Sequence, residues 1–174
     1  MIILLLGLMG SGKSSTGRLL AKTLDLRFLE MDHLILEKTG FNSISEVYEH
    51  RMSLWKESEL EVSKELSKEE NLVIAASGGL SENQLNILYF QENSKHLEII
   101  QLEVATEKAE DRLLNSSDHK FLDSEKEKIK QNLEKMASKR NFFNELYASL
   151  VIDTTDIDQE KTVELILKSL KGRV

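Results

Sequence analysis

Ile2-Ile3-Leu4-Leu5-Leu6-Gly7-Leu8-Met9-Gly10-Ser11-Gly12-Lys13-Ser14 is the stretch on which the fold turns. Its first five residues form an unbroken apolar run, the pattern of a strand buried on both faces of a parallel sheet. From Gly7 to Ser14 the chain fits G-x-x-x-x-G-K-[ST]. A loop that wraps a polyphosphate with backbone N–H groups needs glycine wherever a side chain would block the approach. Leu19, Leu20 and Leu24, with Arg18 and Lys22 between them, predict a helix over 13–24. The N-terminus of that helix offers free N–H groups and the positive end of its dipole to an anion. The alternative, a chance glycine-rich turn, does not require this strand–loop–helix setting. Gly10, Ser11, Gly12, Lys13, Ser14 and Ser15 are therefore the candidate nucleotide-binding residues. Lys13 is placed to reach the β- and γ-phosphates, and Ser14 to ligate Mg²⁺.

Charge supports the same reading. The chain carries a formal net charge of -7, yet its first acidic residue is Asp25, and Lys13, Arg18 and Lys22 precede it. Four of the eight glycines lie between residues 7 and 17. An acidic protein thus begins with an acid-free cradle for an anion. The overall negative balance argues against a nucleic-acid binder or a polybasic membrane binder.

The 174 residues suit one domain, 1–174, without an internal boundary. There is no cysteine, which excludes a disulfide scaffold, a thiolate metal site and cysteine catalysis. There is no proline either, where average usage would supply about nine. The apolar start, Met1 to Met9, lacks a charged leader and is too short for a membrane span, which needs about 20 residues. A cytoplasmic monomer is expected.

Outward from the loop, short apolar runs alternate with helical patterns. Arg27–Glu30, Leu72–Ala76, Leu97–Leu102 and Leu150–Ile152 read as further strands. Ser43-Ile44-Ser45-Glu46 and Ser81-Glu82-Asn83-Gln84 have the form of capping boxes that open helices. Trp55, Val62 and Leu66 recur at helical spacing, as do Ile129, Leu133, Met136, Arg140, Phe143 and Tyr147. Thr106–Leu114 and Val163–Leu170 complete the helices, and residues 115–123 are polar and irregular. Strands alternating with helices predict an α/β fold with a five-stranded parallel sheet between helical layers.

The loop alone does not select a reaction, because kinases, GTPases and motors share it. The length leaves little room for motor domains, and no Asn/Thr-Lys-x-Asp guanine-reading segment occurs. The order of motifs resembles the shikimate kinase family, P-loop enzymes of nucleoside-monophosphate-kinase-like fold. The resemblance rests on Gly7 to Ala21, Phe28-Leu29-Glu30-Met31-Asp32, Lys38-Thr39-Gly40 with Ser43-Ile44-Ser45-Glu46, and Ser77-Gly78-Gly79. Met136 to Arg140 and Val151-Ile152-Asp153-Thr154 match more loosely.

The resemblance implies Mg²⁺-dependent transfer of the ATP γ-phosphoryl group to a hydroxyl of a small metabolite, with shikimate the default acceptor. It makes Lys13 and Asp32 catalytic, Asp32 beside the accepting hydroxyl, and puts Glu30 near the Mg²⁺ hydration shell. Gly78 and Gly79 would floor the acceptor site, Arg112 would pack near adenine, and residues 115–123 would form a lid. Where the family holds the acceptor carboxylate with arginines, this chain aligns Lys56 and Glu145; its lid arginine falls at His119 or Lys120. Lys120 is taken as ATP-binding, Lys56 and Glu145 as acceptor-binding. The altered set keeps two further readings open: a kinase for a sugar, amino alcohol or nucleoside, and a nucleotide-binding regulatory module.

Each residue has a plainer reading. Asp32 is either the acceptor's partner or an N-cap of a helix near His33. Glu30 is either a metal-side carboxylate or an exposed strand end, and Lys56 either a site cation or a surface lysine. Arg140, alone among apolar residues on its stripe, is either one half of a structural ion pair or a ligand contact, since a buried guanidinium needs a partner. Trp55 and Tyr147 read as core, and the four histidines show no metal spacing.

Overall fold

The computed structural model describes residues 1–43, 46–47, 51–115 and 126–171, the backbone alone for 126–132. Its elements run β1 (Ile2–Gly7), α1 (Lys13–Leu24), β2 (Arg27–Glu30), α2 (Met31–Thr39), α3 (Met52–Leu66) and β3 (Leu72–Ala75). A single 3-10 turn (Leu80–Glu82), α4 (Gln84–Asn93), β4 (Leu97–Glu103), α5 (Thr106–Leu114), α6 (Lys126–Tyr147), β5 (Leu150–Asp153) and α7 (Gln159–Lys171) follow.

The five strands form one parallel sheet, as expected, and their order is β2-β3-β1-β4-β5. The central strand β1 is buried along its whole length. Its side chains alternate between the two faces, as strand geometry requires. Ile2, Leu4 and Leu6 join one core with Ile74, Met31, Ile35, Trp55, Val62 and Phe90. Ile3 and Leu5 join the other with Leu20, Val73, Leu102, Val163 and Ile166. Helices therefore cover both faces, and every strand ends at the same edge. In such sheets ligands bind beyond the carboxyl ends of the strands, where crossovers change face. Here β1 is followed by α1 on one face and β3 by α4 on the other, so that place is the loop 7–14.

Two predicted helix starts are corrected. Ser81 does not open a helix: Asn83 caps α4, its Oδ1 accepting from the Leu85 N–H at 3.2 Å. The preceding turn leaves Ser81 and Glu82 for other partners. Asp32 is no N-cap either, because α2 begins at Met31 with Glu30 in the capping position. At Ser43 half of the box forms: the Glu46 N–H donates to Ser43 Oγ, while the Glu46 carboxylate accepts from the Asn42 N–H. Most of the proposed lid, with His119 and Lys120, lies outside the described residues. Among the described residues no helix is long and apolar enough to cross a membrane.

Candidate active site

The loop between β1 and α1 is held in shape by the chain's own contacts. Gly10 has a φ of +78°, and a Cβ there would sit 2.9 Å from the Ala109 carbonyl oxygen on α5. Only glycine meets both the backbone conformation and the approach. Arg112, on the same helix, donates to the Gly10 carbonyl at 3.1 Å and to the Thr154 carbonyl at 2.6 Å. Thr154 Oγ1 donates to Ser11 O (3.0 Å) or Glu103 O (2.7 Å). The loop is thus stapled to α5 and to the end of β5. Arg112, expected beside adenine, makes these bonds to protein backbone.

Lys13 folds back on the loop, its Nζ donating to the Gly7 and Leu8 carbonyls at 2.9 and 3.1 Å. Burial lowers its pKa to about 8, against the attraction of Asp32 and with help from the Arg140 charge. Asp32 faces it from the first turn of α2. Burial raises this carboxyl to about 6, which Lys13 opposes and Glu59 and Glu30 reinforce. These mutual fields link Lys13, Asp32, Arg140, Glu59 and Glu30 at one edge of the sheet, beyond the carboxyl ends of β1, β2 and β3.

Arg140 reaches that edge from α6. It is 7% exposed and donates from Nε to Glu82 Oε1 at 3.2 Å, and its buried Nη1 has no hydrogen-bond partner among the described residues. The guanidinium lies over the glycines: a Cβ on Gly78 would meet Nη1 at 2.9 Å, and one on Gly79 would stand 3.7 Å from Nη2. A buried, unpaired charged donor is unfavourable by at least about 1–3 kcal/mol. Of the two open readings of Arg140, the structure shows the ion pair, made by its Nε edge with Glu82.

Beneath the glycines lies a second buried acid. Glu59 is 4% exposed and accepts from the Ser77 hydroxyl and, at 2.9 Å, from Asn86 Nδ2. Burial raises its pKa, against those two hydrogen bonds. The sequence held a signal for it: Glu59 completes the stripe Trp55, Glu59, Val62, Leu66 on α3. Glu82 carries no such signal, because Ser81-Glu82-Asn83-Gln84 has the local form of a cap.

Glu145 is not brought to the acceptor floor. Five residues beyond Arg140, it lies about 140° around the helix. It is exposed, and its charge acts on Glu103, whose carboxyl is raised by burial, then by Glu145 and Asp153. The arginine facing Gly78 and Gly79 is Arg140 instead. Lys56 is exposed on α3, next to buried Trp55.

The donor set for Mg²⁺ is sparse. Ser14 is exposed at the start of α1. Both Glu30 oxygens are engaged, one by Arg18 at 2.7 Å and one by His33 at 3.4 Å. Among the described residues no group of three or more His, Asp or Glu side chains is placed to hold a metal. Mg²⁺ usually keeps several waters and binds through few protein atoms plus substrate phosphates, so a single hydroxyl at the phosphate loop fits that ion. Glu30 fits only as a charge outside its water shell.

A family model described as shikimate kinase matches residues 9–171. The chain is 33% identical over 172 residues to a shikimate kinase of Sulfurihydrogenibium sp. (strain YO3AOP1), covering 98% of each. It is 30% identical over 173 residues to that of Enterococcus faecalis, covering 97% of this chain and 98% of the other. Among solved structures, shikimate kinase from Acinetobacter baumannii in complex with shikimate superposes with a TM-score of 0.86 at 26% identity, covering 99% and 93%. Deoxyadenosine kinase from M. mycoides with bound dCTP gives 0.63 at 18%, covering 99% and 100%, a likeness of fold alone.

Proposed function

This chain belongs to the shikimate kinase family, and on that premise we propose that Lys13, Asp32 and Arg140 carry phosphoryl transfer from ATP to a hydroxyl of shikimate. The enzyme is an ATP-dependent small-molecule kinase. The observation that supports the assignment of roles is the convergence of three groups: a phosphate-loop lysine, a carboxyl of raised pKa facing it, and a buried guanidinium whose Nη1, beside Gly78, has no hydrogen-bond partner among the described residues.

The reaction forms a bond from the accepting hydroxyl oxygen to the γ-phosphorus and breaks the bond from that phosphorus to the β,γ-bridging oxygen. The hydroxyl proton passes to Asp32. A carboxyl near pH 6 is mostly ionised at neutral pH and close enough to the working pH to take it. The loop N–H groups from Gly10 to Ser15 hold the phosphates. Lys13, released from the Gly7 and Leu8 carbonyls, moves to the phosphate oxygens, where its charge is fully restored. Bound at Ser14, Mg²⁺ would neutralise the charge developing on the phosphates. Arg140 pairs its open edge with the acceptor carboxylate, and Gly78 and Gly79 let the ring lie against backbone. Arg112 keeps the loop in shape. Lys56 offers a second, unforked cation from α3.

Release of ADP is the test, with shikimate set against neutral sugars, amino alcohols and nucleosides. Shikimate is expected to raise turnover well above the ATP-only rate, and Arg140→Ala to abolish that preference. A protein that binds ATP but answers to none of these acceptors would refute the kinase roles. A strong response to a neutral acceptor alone would refute the role of Arg140.

A further inference from the structure

We infer that Glu82 is a positioning residue that holds Arg140 by its Nε edge, so that the opposite edge of the guanidinium is presented to the acceptor's anionic group. The inference rests on the acceptor role of Arg140 proposed above. A guanidinium has five donors in a planar fork and no acceptor, so a carboxylate on one edge fixes the direction of the other.

Glu82 is built for that grip. One oxygen takes the Arg140 Nε–H at 3.2 Å, and the other takes Lys139. Burial alone would raise its carboxyl, but the bonds from Lys139 and Arg140 outweigh it and hold the pKa below the usual value. Both oxygens are thereby committed, and the group stays ionised. It also sits on the 3-10 turn that begins directly after Gly79. That turn is pinned to α6 a second time, by the Ser81 hydroxyl donating to Asn144 Oδ1 at 2.6 Å. One short segment therefore supplies the glycine floor and the clamp on the arginine above it. Both contacts hold the floor and the guanidinium in register.

Position and charge pull in opposite directions here. As a negative charge beside Arg140, Glu82 opposes an incoming anion; as a tether, it aims the guanidinium at that anion. Two variants separate the effects. Glu82→Gln keeps an oxygen at the same reach and removes the charge. Glu82→Asp keeps the charge and withdraws it by one methylene. Misplacement of a binding group by about 1 Å is worth on the order of a hundredfold.

Steady-state kinetics on the full chain are measured with shikimate and ATP varied in turn, alongside thermal unfolding. Glu82→Asp is expected to raise the shikimate KM about ten- to a hundredfold with the ATP KM within about twofold. Glu82→Gln is expected to leave the shikimate KM at or below the wild-type value. A shikimate KM raised by Gln as much as by Asp, or unmoved by Asp, overturns the positioning role. So does a parallel rise in both KM values with a lowered Tm. A wild-type protein inert toward shikimate overturns the acceptor reading and this one together, whereas active wild type with an indifferent Asp variant removes Glu82 alone.

Discussion

Gly78→Ala adds a single methyl at the floor of the proposed acceptor site, and the structure specifies what it strikes. The new Cβ would lie 2.9 Å from Arg140 Nη1 and 3.5 Å from its Cζ. An ordinary contact is about 3.5 Å, so the guanidinium must retreat by ~0.6 Å. It is the end of a flexible side chain, which keeps the strain small, and no positive φ stands in the way of alanine at 78. Stability should fall by less than ~1 kcal/mol. The site is less forgiving, because a binding group must be held within about 0.5 Å of its working position. Arg140 has nowhere neutral to go, being 7% exposed and tethered to Glu82. We expect kcat/KM for shikimate to fall about ten- to a hundredfold, equivalent to ~1.4–2.7 kcal/mol. The KM for ATP should stay within about twofold, since the phosphate loop is untouched. Coupled assay of ADP release, with each substrate varied at saturation of the other, gives both values. A folded Gly78→Ala enzyme with wild-type kcat/KM for shikimate would refute the placement of Arg140 over the floor. Equal losses for both substrates would refute its confinement to the acceptor half.

Gly17→Ala is the contrasting case. Its Cβ would fall 2.5 Å from Phe28 Cε2, between α1 and β2, and overpacking of about 1–3 kcal/mol should lower Tm by a few degrees while both KM values hold; unchanged Tm would show that Phe28 yields freely. Asp32 should give the acid limb of shikimate kcat/KM an apparent pKa near 6, with the rate falling about tenfold per pH unit below it; a limb near 4 would mean that burial does not govern this carboxyl. In stability the same shift has a fixed sign. The folded state binds the Asp32 proton more readily than the unfolded one, so its penalty is full above pH 6 and is relieved as pH falls from 6 toward 3.8. Asp32→Asn should accordingly raise Tm at pH 7 while removing turnover, and a lowered Tm would contradict that. Lys13, with a pKa of about 8 when no phosphate is bound, should take up ~0.5 proton on nucleotide binding at pH 8. Calorimetry in two buffers of different ionisation enthalpy measures it, Lys13→Met should abolish it, and zero uptake by the wild type would place the free lysine at its ordinary pKa.

What the chain alone determined was local. The phosphate loop is legible because its chemistry is confined to eight consecutive residues, and the strand before it because burial on both faces leaves only apolar side chains. The sheet followed, since strands alternating with helices close in few ways. The family resemblance carried Asp32 and the two glycines, which stand in short motifs of their own. The acceptor half depends on segments far apart in sequence, and there the reading was least complete. Glu82 meets Arg140 across 58 residues, Ser81 meets Asn144 across 63, and Ser77 meets Glu59 across 18. Read locally, Ser81 and Glu82 look like a helix cap, and the alignment puts Glu145 rather than Arg140 at the acceptor position. The choice between those two was made by helical phase, which turns Arg140 toward Gly78 and Glu145 toward Glu103. Phase relative to a neighbouring turn is set by packing. No pattern within α6 encodes it, so only the folded chain could decide which charge lies beside Gly78 and Gly79.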